Sequence, residues 1–416
     1  MKKTVSLVIL ALCLAAPAFS QIRMNGWGRA VWIPVFYDYR NEEWRSTVQA
    51  SYGDQPDMEF IFTATSTNIG VDVGVIVNAV QFNQIGNAKI WWRPSPDFRL
   101  HIGLGRVPIL RGKVESSTGA YSYARGRITQ HTEPNGKNEP IVSIADGDGI
   151  FSRFNLSKMG AILEITPQVV PGLFVGAAFA PEYKLNSGMN VEDVYKGLQA
   201  AIGYEIKDIG HARVGYIGGG NTDPNGKTGN AGQNWDFSYD RRVEAAFAFT
   251  MIPGFIADLG FKYSLERHPG ILEQPGFSLE NPLYIALGLM YSGIDNLKLG
   301  FAADGHFAGT AKQGEPCTDC TKCNGNQVTS APQFAFNIYP SYNIGFCDIG
   351  MDFTFGMQFG EDKGINDKKM LGFGVYGQKQ YGHGNIRIGV YANAPMNENH
   401  NNKWGMSVPV WITYSF

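Results

Sequence analysis

Basic side chains gather on two consecutive segments of the chain. Lys89 and Arg93 lie on the first segment, and Arg99 and His101 lie on the second. Within each segment the two residues are separated by an even number of positions, so an extended chain directs their side chains to one face. In a narrow passage such a basic patch would favour anions. Alternatively, it pairs with nearby carboxylates and only makes the surface hydrophilic, and the sequence leaves both interpretations open.

A long polar segment, Arg111 to Asp148, follows this patch and carries charges of both signs. If it folds back over the patch, its acidic side chains would face Lys89 across a narrow gap. The run Asp146-Gly-Asp-Gly149 resembles the start of a calcium loop, but Ile150 stands where that pattern requires a ligand, so we expect no metal. The residues of this segment that could narrow a passage are Glu115, Arg125, Arg127, Asp146 and Asp148.

Three cysteines lie close together in another polar segment. Cys317, Cys320 and Cys323 have a spacing that also occurs among iron–sulfur ligands. A fourth ligand is not evident near them, and Cys347 lies beside a turn expected at the opposite end of the fold. The spacing therefore predicts one local disulfide with one thiol left over, and no bound metal or other cofactor.

The sequence does not indicate catalysis or nucleic-acid binding. It contains no Gly-x-Ser-x-Gly motif, and its seven histidines are scattered. The formal net charge is −2, and basic residues do not form the clusters that bind nucleic acid. We therefore predict that the protein is not an enzyme and does not bind nucleic acid.

Alternation of apolar and polar residues dominates the rest of the chain. Val71, Val73, Val75 and Val77 share one face, as β-strands with one apolar side require. The opposite faces carry charges of both signs, which implies a wet interior if the sheet closes into a barrel with lipid outside. Besides Lys89, Arg93, Arg99 and His101, the residues with this polar parity include Asp72, Lys298, Asp304, Asp348, Asp352 and Arg387.

Connections between these strands alternate between short and long. Short turns rich in Pro, Gly, Asp and Asn join strands into hairpins, for example at Arg93–Asp97 and Lys207–Asp208. Longer polar segments, such as Arg111 to Asp148, join one hairpin to the next. Two strands per hairpin give about 16 to 18 strands, with 18 if Ser66 to Asn68 forms a turn. Aromatic residues near the strand ends, including Trp27, Trp91 and Trp411, fit two interfacial girdles.

The first twenty residues have the features of a secretory signal peptide. Met1-Lys2-Lys3 precedes a short apolar run, and Ala18-Phe19-Ser20 fits a cleavage site before Gln21. The segments are thus 1–20, a cleaved signal peptide, and 21–416, the mature protein. The mature part contains no apolar run of about 18 residues or more, so the sequence offers no transmembrane helix.

The last residues, Val408 to Phe416, alternate without interruption and end on an aromatic ring. An exposed apolar strand at the end of a soluble sheet would invite aggregation, whereas closure of a barrel in lipid removes the free edge. This terminal strand resembles those of outer-membrane β-barrel proteins, including porins. The resemblance implies that the assembly machinery of the outer membrane recognises Tyr414 and Phe416.

The resemblance covers the whole mature chain and implies an all-β fold. We expect a transmembrane antiparallel up-and-down β-barrel with short periplasmic turns and long extracellular loops, located in the outer membrane and surrounded by its lipid. Porins of this architecture are often homotrimers, and their long third loop folds into the channel. The expected function is passive diffusion of small hydrophilic solutes and ions. The alternatives are a substrate-selective outer-membrane transporter, and a surface adhesin anchored by its barrel.

Overall fold

The computed structural model describes the strands of the chain and the turns at one end of them. The described residues are 21–38, 43–49, 57–78, 84–107, 110, 154–179, 198–217, 242–265, 268–269, 278–279, 283–307, 333–358, 369–395 and 405–415. The predicted signal peptide and Phe416 lie outside this set. Within it, no helix is long and apolar enough to cross a membrane.

Alternating residues of high β-propensity form strands throughout, as the sequence predicts. The strands are β1 (Gln21–Asp38), β2 (Glu43–Gln49), β3 (Asp57–Thr65), β4 (Ile69–Asn78), β5 (Gln84–Ser95), β6 (Phe98–Val107), β7 (Phe154–Ile165), β8 (Leu173–Phe179), β9 (Leu198–Ile206), β10 (Gly210–Ile217), β11 (Arg242–Phe249), β12 (Phe255–Ser264), β13 (His268–Pro269), β14 (Ser278–Leu279), β15 (Leu283–Ile294), β16 (Leu297–Phe307), β17 (Gln333–Asn343), β18 (Asp348–Gln358), β19 (Lys369–Tyr381), β20 (Gly384–Pro395) and β21 (Gly405–Ser415).

Pairing between the first and last strands closes the sheet. β21 runs antiparallel to β1, with Ser415 opposite Trp27. On its other edge β1 pairs with β3 along its first half and with β2 along its second half. β2 and β3 therefore lie end to end and share one position, so the 19 strands of this sheet make a closed barrel of 18 positions. This confirms the predicted antiparallel barrel at the upper strand count.

Short turns lie at the end of the barrel that holds Gln21 and Ser415. Ser66 to Asn68 forms one of them, as predicted, and its Ser66 N–H donates to Ile69 O over 2.8 Å. Gly254 and Gly345 adopt φ angles of 75° and 83°, which side chains other than glycine rarely tolerate. At the opposite end the strands are joined by longer segments, and the small β13–β14 pair lies between β12 and β15.

Side chains of each barrel strand alternate between two faces of different polarity. Large apolar residues, such as Ile90 and Ile388, are about half exposed on one face. The other face carries charged groups that are enclosed, including Arg213 and Glu244, whose side chains are 1% and 2% exposed. In a barrel that is one sheet thick, only the interior can enclose such groups. The polar face is therefore the inner face, and the apolar face is the outer one.

Three tryptophans predicted in the outer aromatic girdles lie on the inner face instead. Trp27 Nε1 donates to Glu59 Oε2 over 2.7 Å, the Arg99 guanidinium lies 5.1 Å from the Trp91 ring, and Trp411 packs edge-on against Tyr391. All three share their parity with polar residues, which decides their face whatever their preference for the interface.

Candidate pore wall

The predicted basic patch lies on the inner face of β5 and β6, where carboxylates from the flanking strands pair with it. Lys89 Nζ lies 3.8 Å from Asp72 Oδ2 on β4. Glu164 Oε2 on β7 lies 2.6 Å from His101 Nε2 and 3.9 Å from Arg99 Nη1. Of the two interpretations that the sequence leaves open, this geometry matches a patch paired with carboxylates. Sequence reasoning missed Glu164. Glu164 is opposite Arg99 and Ile162 is opposite His101, so both β7 residues face inward.

Arg93 lies apart from this group. The pairing of β5 with β6 shifts register between Trp92 and Ser95, because Pro94 has no N–H to donate to the ladder. The Arg93 guanidinium donates to Pro96 O over 3.0 Å at the turn. Lys89 is opposite Gly103, which lies four residues from Arg99 along β6. Of the three residues expected to approach across one ladder, Arg93 therefore contacts the turn, whereas Lys89 and Arg99 lie beside Asp72 and Glu164.

A fully enclosed ion pair lies on the next part of the wall, on β10 and β11. Arg213 Nη2 lies 3.4 Å from Glu244 Oε2. His211 and Asp258, on β10 and β12, are also buried on this face. Sequence reasoning did not select any of these residues. The signal was present in β10, where His211, Arg213 and Gly215 alternate with apolar residues.

Apolar side chains also reach the inner face on the strands from β6 to β9. Leu110, three residues after Val107 at the end of β6, lies close to Gly203 on β9, where a Cβ added to Gly203 would overlap Leu110 Cδ1. Leu110 therefore lies on the inner side of the wall at β9. The predicted constriction residues Glu115, Arg125, Arg127, Asp146 and Asp148 lie outside the described residues. The buried apolar cluster consists of Val107, Ile162, Phe174, Ala178 and Ala201.

The wall from β17 to β20 carries a further group of polar residues. Asn337 Nδ2 donates to Asp352 Oδ1 and, over 3.0 Å, to Thr354 Oγ1. Nearer the turn, Asn343 Nδ2 donates to Asp348 Oδ1 over 2.7 Å.

Arg387 lies beside this group on β20. Its Nε donates to Gln378 Oε1 over 2.8 Å, and its guanidinium lies 4.1 Å from the Tyr376 ring centre. Asp348, Asp352 and Arg387 are thus on the inner face, as their parity predicts.

Two of the remaining predicted residues, Lys298 and Asp304, lie on β16. Lys298 is exposed near the turn, opposite Ser341, and Asp304 is opposite Ala335, although the Asp304 side chain is not among the described ones. On the terminal strand, Tyr414 is exposed on the outer face.

Cys347 is a half-buried free thiol, whereas Cys317, Cys320 and Cys323 lie outside the described residues. In the part of the chain that is described, no group of His, Cys, Asp and Glu side chains could hold a metal ion.

Comparison with known proteins shows which solved structures have a similar fold. No protein-family model and no curated protein sequence matches the chain. Among solved structures, it is similar to OccK10 (OpdN) of Pseudomonas aeruginosa, with a TM-score of 0.51, 11% identity, and coverage of 95% of this chain and 99% of that one. It is also similar to the outer membrane protein opdK of Pseudomonas aeruginosa, with a TM-score of 0.50, 12% identity, and coverage of 96% and 99%. The likeness shows that the chain has the barrel fold of these proteins.

Proposed function

We propose that the protein is an outer-membrane porin through which small hydrophilic solutes and ions diffuse passively. The observation that carries this proposal is the contrast between the two faces of a closed barrel of 18 positions. Exposed large apolar side chains on the outer face suit lipid. Charged and amide side chains on the inner face suit water, and barrels of about 16 to 18 strands are wide enough to leave an aqueous channel.

Single-channel recording in planar bilayers tests the proposal directly. Purified protein should give discrete ohmic conductance steps in KCl, since a wet barrel passes ions without a transport cycle. The control is the same preparation after boiling, which should give no steps. A folded barrel that gives no conductance would contradict the porin proposal and favour the adhesin alternative.

The segment that begins at Leu110 supplies the constriction in this proposal. Leu110 already lies on the inner face at Gly203, and Glu115, Arg125, Arg127, Asp146 and Asp148 follow it. Replacing residues 114–147 with a short Gly/Ser linker should raise the conductance, because material would be removed from the lumen. A similar shortening of the segment 308–332, between β16 and β17, is the matched control and should change the conductance less. Equal effects would contradict the constriction.

Ion preference depends, in this proposal, on residues of the inner wall. These are Lys89, Arg93, Arg99, His101, Asp72, Lys298, Asp304, Asp348, Asp352 and Arg387. Charges act over about 8 Å at physiological salt and over roughly 30 Å at 0.01 M. A change of wall charge should therefore alter the reversal potential in a salt gradient most strongly when salt is low.

A double reversal tests the wall. Lys89→Glu with Arg99→Glu would bring two new carboxylates beside Asp72 and Glu164, so the reversal potential should shift toward cation preference. The exchange Lys89→Asp with Asp72→Lys keeps the total charge and serves as the control, with no expected shift. If the double reversal leaves the reversal potential unchanged at low salt, these residues do not line the narrow path.

A further inference from the structure

The turns at the end of the barrel that holds Gln21 and Ser415 differ in polarity along the rim. Five consecutive turns, from β7–β8 to β17–β18, each end in large apolar side chains that are between 41% and 88% exposed. The three other turns carry polar residues at their tips, namely Thr67 and Asn68, Asp97, and His383, and the exposed apolar residues Ile69 and Tyr381 stand at the strand ends beside two of them. The apolar residues, which we call the apolar arc, are Val169, Val170, Ile209, Met251, Ile252, Ile294, Ile344 and Phe346.

The apolar arc is a continuous and rigid surface. Backbone hydrogen bonds link the first four of its turns to the next hairpin. The Glu205 N–H donates to Gly172 O, and the Thr250 N–H donates to Ile209 O, over 2.8 Å and 2.7 Å. The Ser292 and Asn343 N–H groups make equivalent bonds to Gly254 and Asn296 over 2.6 Å and 2.8 Å. The backbone that carries these side chains is therefore joined from turn to turn along one side of the rim.

The apolar arc continues the outer apolar face at the depth of an interfacial layer. Exposed tyrosines on the outer face, such as Tyr204, Tyr291 and Tyr342, mark a girdle close to these turns. Ile294 follows Tyr291 by three residues across a bulge, and their partners Leu297 and Leu299 are two residues apart. The separation is therefore roughly 5–7 Å along the membrane normal for a strand tilted by about 40°. A headgroup layer is roughly 5–7 Å thick on each side of a bilayer. If the tyrosine girdle lies at the boundary between hydrocarbon and headgroups, the turns therefore lie within the headgroup layer.

A lysine lies where the apolar arc ends. Lys379, on β19, places its Nζ 3.8 Å from the centre of the Phe346 ring and 5.3 Å from that of Tyr381. A lysine that runs along apolar rings and ends in an ammonium group suits the boundary between acyl chains and phosphates. Its charge complements the phosphate of a lipid headgroup.

We propose that the apolar arc is a membrane-binding surface, seated in the headgroup layer of the periplasmic leaflet and covered by phospholipid. In this proposal the polar turns on the other side of the rim are exposed to water. The barrel axis is therefore inclined to the membrane normal, with the apolar arc drawn toward the hydrocarbon. This inference rests on the membrane location in the proposed function, but not on the presence of a conducting pore.

Nitroxide labels on single cysteines test the arc. The full mature chain, with its native cysteines replaced by serine, is reconstituted in vesicles of phosphatidylethanolamine and phosphatidylglycerol. Val169→Cys and Met251→Cys report on the apolar arc, and Thr67→Cys and His383→Cys are matched controls. The arc labels should collide more with oxygen than with a water-soluble nickel complex, whereas the control labels should show the reverse.

Two results would overturn the inference. Nickel collisions at the arc as frequent as at the controls would place these turns in water. Low collision rates with both reagents would indicate that protein, such as a second copy of the chain, covers the arc. Conductance recorded from the same variants separates the two proposals, because a conducting barrel with arc labels in water contradicts the arc alone. A barrel with lipid-facing arc labels but no conductance contradicts the pore alone.

Discussion

The enclosed Arg213–Glu244 pair gives a quantitative prediction about the wall. The substitution Glu244→Gln removes the carboxylate that lies 3.4 Å from Arg213 Nη2. Coulomb's law at that distance with an effective dielectric constant of about 20 gives roughly 5 kcal/mol. Breaking buried ion pairs by removing one partner costs about 3–5 kcal/mol. We therefore expect the barrel to lose about 3–5 kcal/mol of unfolding free energy, which is a factor of roughly 10² to 5 × 10³ in the folding equilibrium.

Urea unfolding in lipid vesicles, followed by the mobility difference between folded and heated protein in gels, measures this loss. The exposed pair Arg45–Glu43, whose atoms lie 2.9 Å apart, provides the control. Its variant Glu43→Gln should cost less than about 1 kcal/mol, because water screens exposed charges.

A second variant separates charge from packing. Replacing both members of the buried pair, with Arg213→Met and Glu244→Leu, should restore much of the stability, because no uncompensated charge remains. An unchanged urea midpoint for Glu244→Gln would refute the reasoning. So would a double variant that is no more stable than the single one.

Three further predictions concern assembly, the cysteines and a strand distortion. Phe416→Ala should lower the amount of heat-modifiable barrel in the outer membrane more than it lowers synthesis; equal reductions would contradict an assembly signal. Chelator should leave the barrel folded if the segment Cys317–Cys323 holds no essential metal, and a stoichiometric iron–sulfur absorbance would disprove this. Gly103→Ala should destabilise the barrel by about 1–3 kcal/mol, because Gly103 has φ 136° and an added Cβ would overlap Ala88 O. Gly377→Ala, where nothing lies within 4 Å, should cost less in the same urea assay.

The fold was readable from the sequence because a strand has a period of two. Parity alone assigns Val71 and Ile388 to the outer face, and Asp352 and Arg387 to the inner one. Short connections alternating with long ones then give the hairpins, and the count of hairpins gives the size of the barrel. Parity also places Trp91 on the inner face, whereas the preference of aromatic residues for the membrane interface predicted the outer face.

The partners of the inner charges were not readable from the sequence. Parity places Lys89 and Arg99 inside, but which carboxylate meets each one depends on the register between strands. Asp72 comes from the preceding strand, and Glu164 comes from a strand 65 residues after Arg99 in the numbering. The bulge at Trp92–Ser95 separates Arg93 from the charged group around Asp72 and Glu164. In the sequence, only Pro94 and Pro96 indicated that the strand is irregular there.

The sequence by itself therefore determined an all-β chain with one apolar and one polar face per strand, because period and turn chemistry are local. Only the tertiary structure decided how the sheet closes into a barrel and which side chains contact one another on its inner face. β2 and β3 share one position beside β1, Arg213 is enclosed with Glu244, and Leu110 reaches Gly203 on β9. The last two contacts join residues far apart in the chain, and all three features depend on strand register and barrel closure, which local periodicity does not encode.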